Sequence, residues 1–133
     1  MQQHHEENWQ INLPDDWISE TEEECVSIYH PNGPGMLEIS ASLQPEIISD
    51  DDLMALTDEH LEKGAHPEKT TIGDFSGIEL SYEDDGVFWR EWYLRQGELL
   101  LFATYNCDTG DEEKEEGMLD VILATLRRQK KRD

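Results

Sequence analysis

The sequence predicts an α+β domain: an antiparallel sheet of about six strands with helices packed on it. Three observations point there. Apolar residues alternate with polar ones in short runs separated by Pro, Gly and Asp turns. Helix-start signals stand at only two places, Ser49 and Thr109. The strand-like runs between and before those signals follow one another directly, as a meander does. At 133 residues a single domain is expected, one that buries roughly two-thirds of its unfolded surface.

Residues 1–7 (MQQHHEE) are polar throughout and read as a mobile N-terminal arm, leaving 8–133 as the domain. Residues 8–13 form the first expected strand. It is closed by Pro14-Asp15-Asp16, where proline presets φ and the acids favour a turn. Residues 18–23 and 25–30 are the next two strands, and the Pro and Gly density of PNGPG at 31–35 forces a reversal. Across 36–44, Leu37, Ile39, Ala41 and Leu43 share one side against Glu38, Ser40, Ser42 and Gln44, so this strand has one wet face.

Ser49 followed by Asp50, Asp51 and Asp52 offers an N-cap and three carboxylates at the positive end of a helix. That helix is expected over 50–63, with Leu53, Leu56, His60 and Leu61 at helical spacing and Gly64 as the stop. Residues 70–72 and 75–83 return to the sheet, and Asp84-Asp85-Gly86 is a hairpin turn. The runs 87–95 (VFWREWYLR) and 99–107 (LLLFATYNC) are apolar on both sides for much of their length, which places them in the middle of the sheet. Thr109 and Glu112 have capping-box spacing before a last helix expected over 110–129. Its buried stripe is read as Met118, Val121, Ile122, Thr125 and Leu126, with basic residues at its negative end.

Ten Lys and Arg stand against 32 Asp and Glu, a formal net charge of -22. Five of the ten (Arg127, Arg128, Lys130, Lys131, Arg132) fall in the last seven positions, so residues 1–126 hold 31 acids and 5 bases. A field of that sign repels nucleic acid and membrane and speeds encounter with a cationic partner. The first residues lack a basic then apolar run of the signal-peptide kind, and no segment approaches the roughly 20 apolar residues of a membrane span. A cytoplasmic protein is therefore expected, with Cys25 and Cys107 as buried reduced thiols.

The order of elements resembles the PsbP-like fold family, which includes the PsbP subunit of photosystem II, the Ran-binding Mog proteins of eukaryotes and many small bacterial proteins of unknown role. The likeness rests on INLPDDW at 11–17, the strand pair FWREWYLRQGELLLFATY at 88–105, and ILATL at 122–126 in the closing helix. The resemblance implies an antiparallel sheet with helices on it and a protein that acts by binding rather than by chemistry. It supplies no partner.

The residues themselves name no reaction. Asp50-Asp51-Asp52, Glu83-Asp84-Asp85 and the group Asp108, Asp111 and Glu112 offer oxygen ligands of the calcium type, yet none has EF-hand spacing and helix starts and a hairpin turn account for them. His4, His5, His30, His60 and His66 belong to no HExxH or Cys-containing metal pattern. Cys25 or Cys107 with His30 is a conceivable nucleophile and base, and Ser76 lacks the elbow motif of serine hydrolases. The expectation is a non-enzyme with no catalytic, cofactor or metal residues.

Trp89, Trp92, Tyr93, Phe102 and Tyr105 have two readings, core or interface. Alternation puts Trp89 and Tyr93 on one face and Trp92 with Arg90 on the other. Trp, Tyr and Arg are enriched at protein interfaces, so the candidate interaction surface is Trp89, Arg90, Trp92 and Tyr93 with the neighbouring Asp84 and Asp85. The function expected is that of a non-enzymatic protein-interaction module, a small acidic bacterial cytoplasmic protein whose partner is another protein, basic in character, and neither nucleic acid nor membrane. The alternative is an acidic immunity protein or DNA mimic, in which carboxylates replace phosphates before a basic enzyme. A third reading is salt adaptation of the host, in which the acidity carries no message about partners.

Overall fold

Two antiparallel sheets form, where one of about six strands was expected. A computed structural model describes residues 1–57 and 64–129. The larger sheet has seven strands in the order β3-β4-β5-β9-β8-β7-β6, and the smaller has three, β1-β2-β10. In chain order these are β1 Gln2–His5, β2 Trp9–Leu13, β3 Ile18–Thr21, β4 Val26–Tyr29, β5 Met36–Leu43, helix α1 Asp50–Leu56, β6 Glu68–Ile72, β7 Phe75–Asp84, β8 Val87–Gln96, β9 Leu99–Asp108, helix α2 Glu116–Leu123 and β10 Arg127–Arg128.

The extra sheet comes from two segments whose local sequence does not advertise a strand. The polar residues read as an arm make β1, paired with β2 from Gln2↔Leu13 to His5↔Gln10. Arg127 and Arg128, expected inside a helix, lie opposite Gln10 and Trp9 on the other edge of β2. Both segments satisfy the edges of a strand whose own residues alternate buried and half-buried. Lys130, Lys131, Arg132 and residues 58–63, where the first helix was expected to continue through His60 and Leu61, lie outside the described residues.

Strands β9 and β8 are central as their double-sided apolarity requires. One sheet face packs against the small sheet and α2: Leu37, Ile39, Trp92, Leu94, Leu101, Ala103 and Tyr105 meet Trp9, Ile11, Leu13, Trp17, Leu119, Ile122 and Leu123. The other face is covered at its β7–β8 side by α1, where Ile48, Leu53, Ala65, Ile78, Leu80 and Tyr93 form a second, smaller core. Burying each Leu or Ile among them is worth about 1.5–3 kcal/mol. On β5 the alternation holds through Leu37 and Ile39, but Ala41 and Leu43 are exposed because the cover does not extend that far.

Helix α1 starts as its sequence dictates. Ser49 Oγ accepts the Asp52 amide, and the Asp52 carboxylate accepts the Ser49 amide, a reciprocal capping box. These bonds hold the Asp52 carboxyl below its ordinary range. The last helix departs from expectation at both ends. It begins at Glu116, not at 110, because residues 111–115 form turns (Asp111 and Lys114 amides onto Asp108 and Asp111 carbonyls) in a run of acids that repel at helical spacing. It stops at Leu123, where Thr125 bonds both the Ile122 carbonyl and the Asn12 amide and turns the chain into β10. The buried stripe is Leu119, Ile122, Leu123 and Leu126, while Met118 and Val121 are exposed.

Candidate functional site

At the tip of the β7–β8 hairpin Asp85 and Gly86 have φ of 54° and 80°, the two positive values of a type I′ turn. This geometry projects Glu83, Asp84 and Asp85 into solvent. Val87 pairs with Asp108 across β8–β9, and the Thr109 amide donates to the Gly86 carbonyl at 3.0 Å. The hairpin acids and the acids at and after the end of β9 (Asp108, Asp111, Glu112, Glu113) are thereby joined into one ridge along one end of the sheet. In sequence they are two clusters more than twenty residues apart.

The residues expected to form an interaction surface do not stay together. Trp92 is fully buried and Tyr93 nearly so, each in a different core, because β8 is covered on both faces at its centre. They are structural, and the surface loses them. Trp89, nearer the ridge, is half-buried and stacks on Tyr82 (6.4 Å between centroids, 13° between planes). Arg90 lies on the opposite face. Its Nε donates to Glu79 at 2.5 Å, its Nη2 to Asp120 on α2 at 3.1 Å, and its guanidinium sits 4.7 Å from the Trp92 ring centroid. Burial works against the Arg90 charge, but the two carboxylates outweigh it and its pKa rises. The group is a permanent internal clamp between sheet and helix.

Two hollows flank that clamp. One of about 310 Å³ has Phe88, Tyr105 and Leu119 in its wall and Glu112, Glu113 and Glu116 around it. The other, about 210 Å³, runs between β6 and α2 past Thr70, Thr71 and Asp120. Beneath the first, Glu115 is buried and accepts the Tyr105 hydroxyl at 2.7 Å and the Gly35 amide at 3.2 Å. Burial, then the Glu115 carboxylate, raises the Tyr105 pKa far above the ordinary phenol value. On the outer face Glu91, also buried, accepts the hydroxyls of Tyr82 and Tyr93 at 2.7 Å each.

A third hollow of about 310 Å³ opens between the β1–β2 and β3–β4 turns, lined by Glu6, Glu7, Glu22, Glu23, Glu24 and Cys25. Cys25 is half-exposed rather than buried, while Cys107 is buried as expected. Burial and the carboxylates of Glu22 and Glu38 push the Cys25 thiol up to about 11, so it is protonated at neutral pH. His30 is bound to Asp16 at 3.2 Å and accepts the Asn32 amide. Elsewhere among the described residues one chain of contacts orders a hydroxyl, an imidazole and a carboxylate: Ser19 Oγ to His4 Nδ1 and His4 Nε2 to Glu6, 2.9 Å each. No motif around Ser19 signals it. It joins β1 of the small sheet to β3 of the large one, and the neighbouring hollow takes in Glu6 but neither His4 nor Ser19. Among the described residues no three His, Cys, Asp or Glu side chains converge as a metal site, and no helix is long and apolar enough to cross a membrane.

No protein-family model matches the chain, and no curated protein sequence matches it. Solved structures do. A Bacteroides thetaiotaomicron protein superposes with a TM-score of 0.66 at 19% identity over 92% of this chain, which spans only 46% of that protein's length. LpqN of Mycobacterium tuberculosis, described as involved in cell envelope biogenesis, gives a TM-score of 0.58 at 20% identity over 91% of this chain and 83% of its own. Cyanobacterial PsbP (CyanoP) from Synechocystis gives 0.47 at 11% identity, covering 96% and 92%. At such identities the first two similarities establish a common antiparallel α+β fold.

Proposed function

We propose that this chain is a non-enzymatic interaction module of the PsbP-like kind and that its partner is a basic protein engaged at the acidic end of the sheet. One observation carries the reading. Every Lys and Arg among the described residues lies within 4.0 Å of a carboxylate of the chain itself: Lys69 and Arg95 at Asp50, Arg90 at Glu79 and Asp120, Lys114 at Asp111, Arg127 at Asp74, and Arg128 at Glu98. The chain spends its described cations internally, and with 32 acids against 10 bases most of the described carboxylates, the buried Glu91 and Glu115 apart, are exposed or half-exposed. The ridge concentrates them beside Trp89, which supplies the apolar anchor an interface needs. The protonated Cys25 thiol supports binding over nucleophilic chemistry.

A second reading is favoured by the ridge alone. A line of carboxylates along one edge imitates a phosphate backbone, as an immunity protein or DNA mimic does. Affinity capture with the intact protein at low and at high salt tests the first reading. One stoichiometric basic protein, released as salt rises, supports it; no stoichiometric protein, or a co-purifying metabolite, refutes it. Competition by duplex DNA for the captured partner selects the mimic reading over the general one.

A further inference from the structure

At the end of the sheet away from the ridge, the β5–α1 connection forms an apolar groove that none of the described residues covers. Its volume is about 310 Å³, and Pro45, Ile47, Ile48, Leu56 and Leu100 line it. Ile47 is 78% exposed and Leu56 50% exposed, on a chain whose mean hydropathy is -0.75. The groove is firmly framed: the Gln44 and Ile48 amides donate to the Glu98 and Gly97 carbonyls of the β8–β9 turn, and the capping box sets the start of α1 beside it. Its rim is acidic, with Glu46 and Asp52 in the lining and Asp52 held ionised by the cap.

We infer that this groove docks an amphipathic segment of another protein, apolar side chains inward and Lys or Arg against Glu46 and Asp52. The inference rests on the reading of this chain as a binder of basic proteins and assigns a second contact to it. Charge complementarity decides the occupant. A second copy of a chain with net charge -22 would bring an acidic rim against an acidic rim, which costs association. Residues 58–63 read DEHLEK, three acids against one lysine with a single leucine, a net-acidic segment that an acidic rim repels, and residues 130–133 read KKRD, with no apolar residue. A net-basic segment with several apolar side chains matches wall and rim together.

The test uses the full chain and two synthetic peptides of equal length and equal lysine content, one an amphipathic Leu/Lys helix and the other with every Leu replaced by Ser. Binding is measured calorimetrically with wild type, Ile47→Ser, Leu56→Ser and, as a control at an exposed apolar position of α2, Val121→Ser. Ile47 and Leu56 are exposed enough for their variants to fold. The Leu/Lys peptide is expected to bind wild type and Val121→Ser alike and to bind Ile47→Ser at least about tenfold more weakly, as loss of one buried aliphatic side chain requires. If the Ser/Lys peptide binds as well as the Leu/Lys one, or Ile47→Ser binds as wild type does, the groove is not the docking site while the basic-partner reading stands. If neither peptide binds at low salt, both fall. A concentration-dependent dimer in sedimentation that Ile47→Ser dissociates assigns the groove to a second copy and overturns the inference. Contacts between residues 58–63 and Ile47 or Leu100 in nuclear Overhauser spectra overturn it too.

Discussion

Replacing Tyr105 with Phe isolates the buried Glu115 carboxylate as a stabilising element. Glu115 is 7% exposed and Tyr105 1%, and the 2.7 Å bond from the Tyr105 hydroxyl is shorter than the 3.2 Å bond from the Gly35 amide to the same carboxylate oxygen. The Phe ring keeps the volume, so no cavity opens; what is lost is a charge-assisted donor to a buried carboxylate. Such bonds are worth about 1.5–3 kcal/mol, and the cost of a stranded acceptor falls at the upper end. We expect a loss of roughly 2–3 kcal/mol, a drop in Tm of about 6–15 °C for a domain of this size. Urea unfolding followed by tryptophan fluorescence should show a lower midpoint with unchanged slope. The alkaline limb gives an independent check. The folded pKa of Tyr105 is raised, by burial first and Glu115 next, so its contribution is complete below the unfolded phenol value near 10 and is lost as pH climbs through that value toward the folded one. The gap between wild type and Tyr105→Phe should be widest at neutral pH and narrow above about pH 10. A variant that melts within about 1 °C of wild type, or a gap independent of pH, would refute this account of Glu115.

Trp92→Ala should cost about 3–5 kcal/mol, whereas Trp89→Ala, half-buried and stacked on Tyr82, should cost about 0.5–1.5 kcal/mol; equal urea midpoints for the two would contradict their placement. Gly77→Ala puts a methyl into the Tyr93 carbonyl of the neighbouring strand, backbone that cannot yield without opening β7–β8, and should lower stability by on the order of 3 kcal/mol. A normal melting curve for that variant shows the close approach to be wrong. Alkylation of Cys25 by iodoacetamide should be slow at neutral pH and rise about tenfold per pH unit until it levels near 11; levelling near pH 8 contradicts the carboxylate environment set by Glu22 and Glu38. Cys107, in the core, should react only on unfolding.

Local chemistry was legible at the β7–β8 turn and at the start of α1, though the same kind of signal at Thr109 and Glu112 did not start a helix. Asp85-Gly86 makes its turn because two adjacent positive φ values suit those residues, and Ser49 with Asp52 caps its helix because the bonding groups are three positions apart. The last helix was misphased because residues 118–126 (MLDVILATL) are apolar nearly all round, so no stripe is singled out until the sheet chooses Leu119, Ile122 and Leu123. The candidate surface was half legible for a similar reason: period two separates Trp89 from Arg90 but cannot say which side is covered at which point along β8.

By itself the sequence determined an acidic α+β chain with β8 and β9 at its centre, since charge and alternation are properties of residues and their neighbours. Only the tertiary structure recruited the first residues and Arg127-Arg128 to β2, merged two distant acid clusters into one ridge, consigned Trp92 and Tyr93 to separate cores and left Ile47 and Leu56 bare. Those outcomes depend on which strands pair and which faces find cover. Both are settled by hydrogen bonds and packing between segments far apart in the chain, where no local pattern records them.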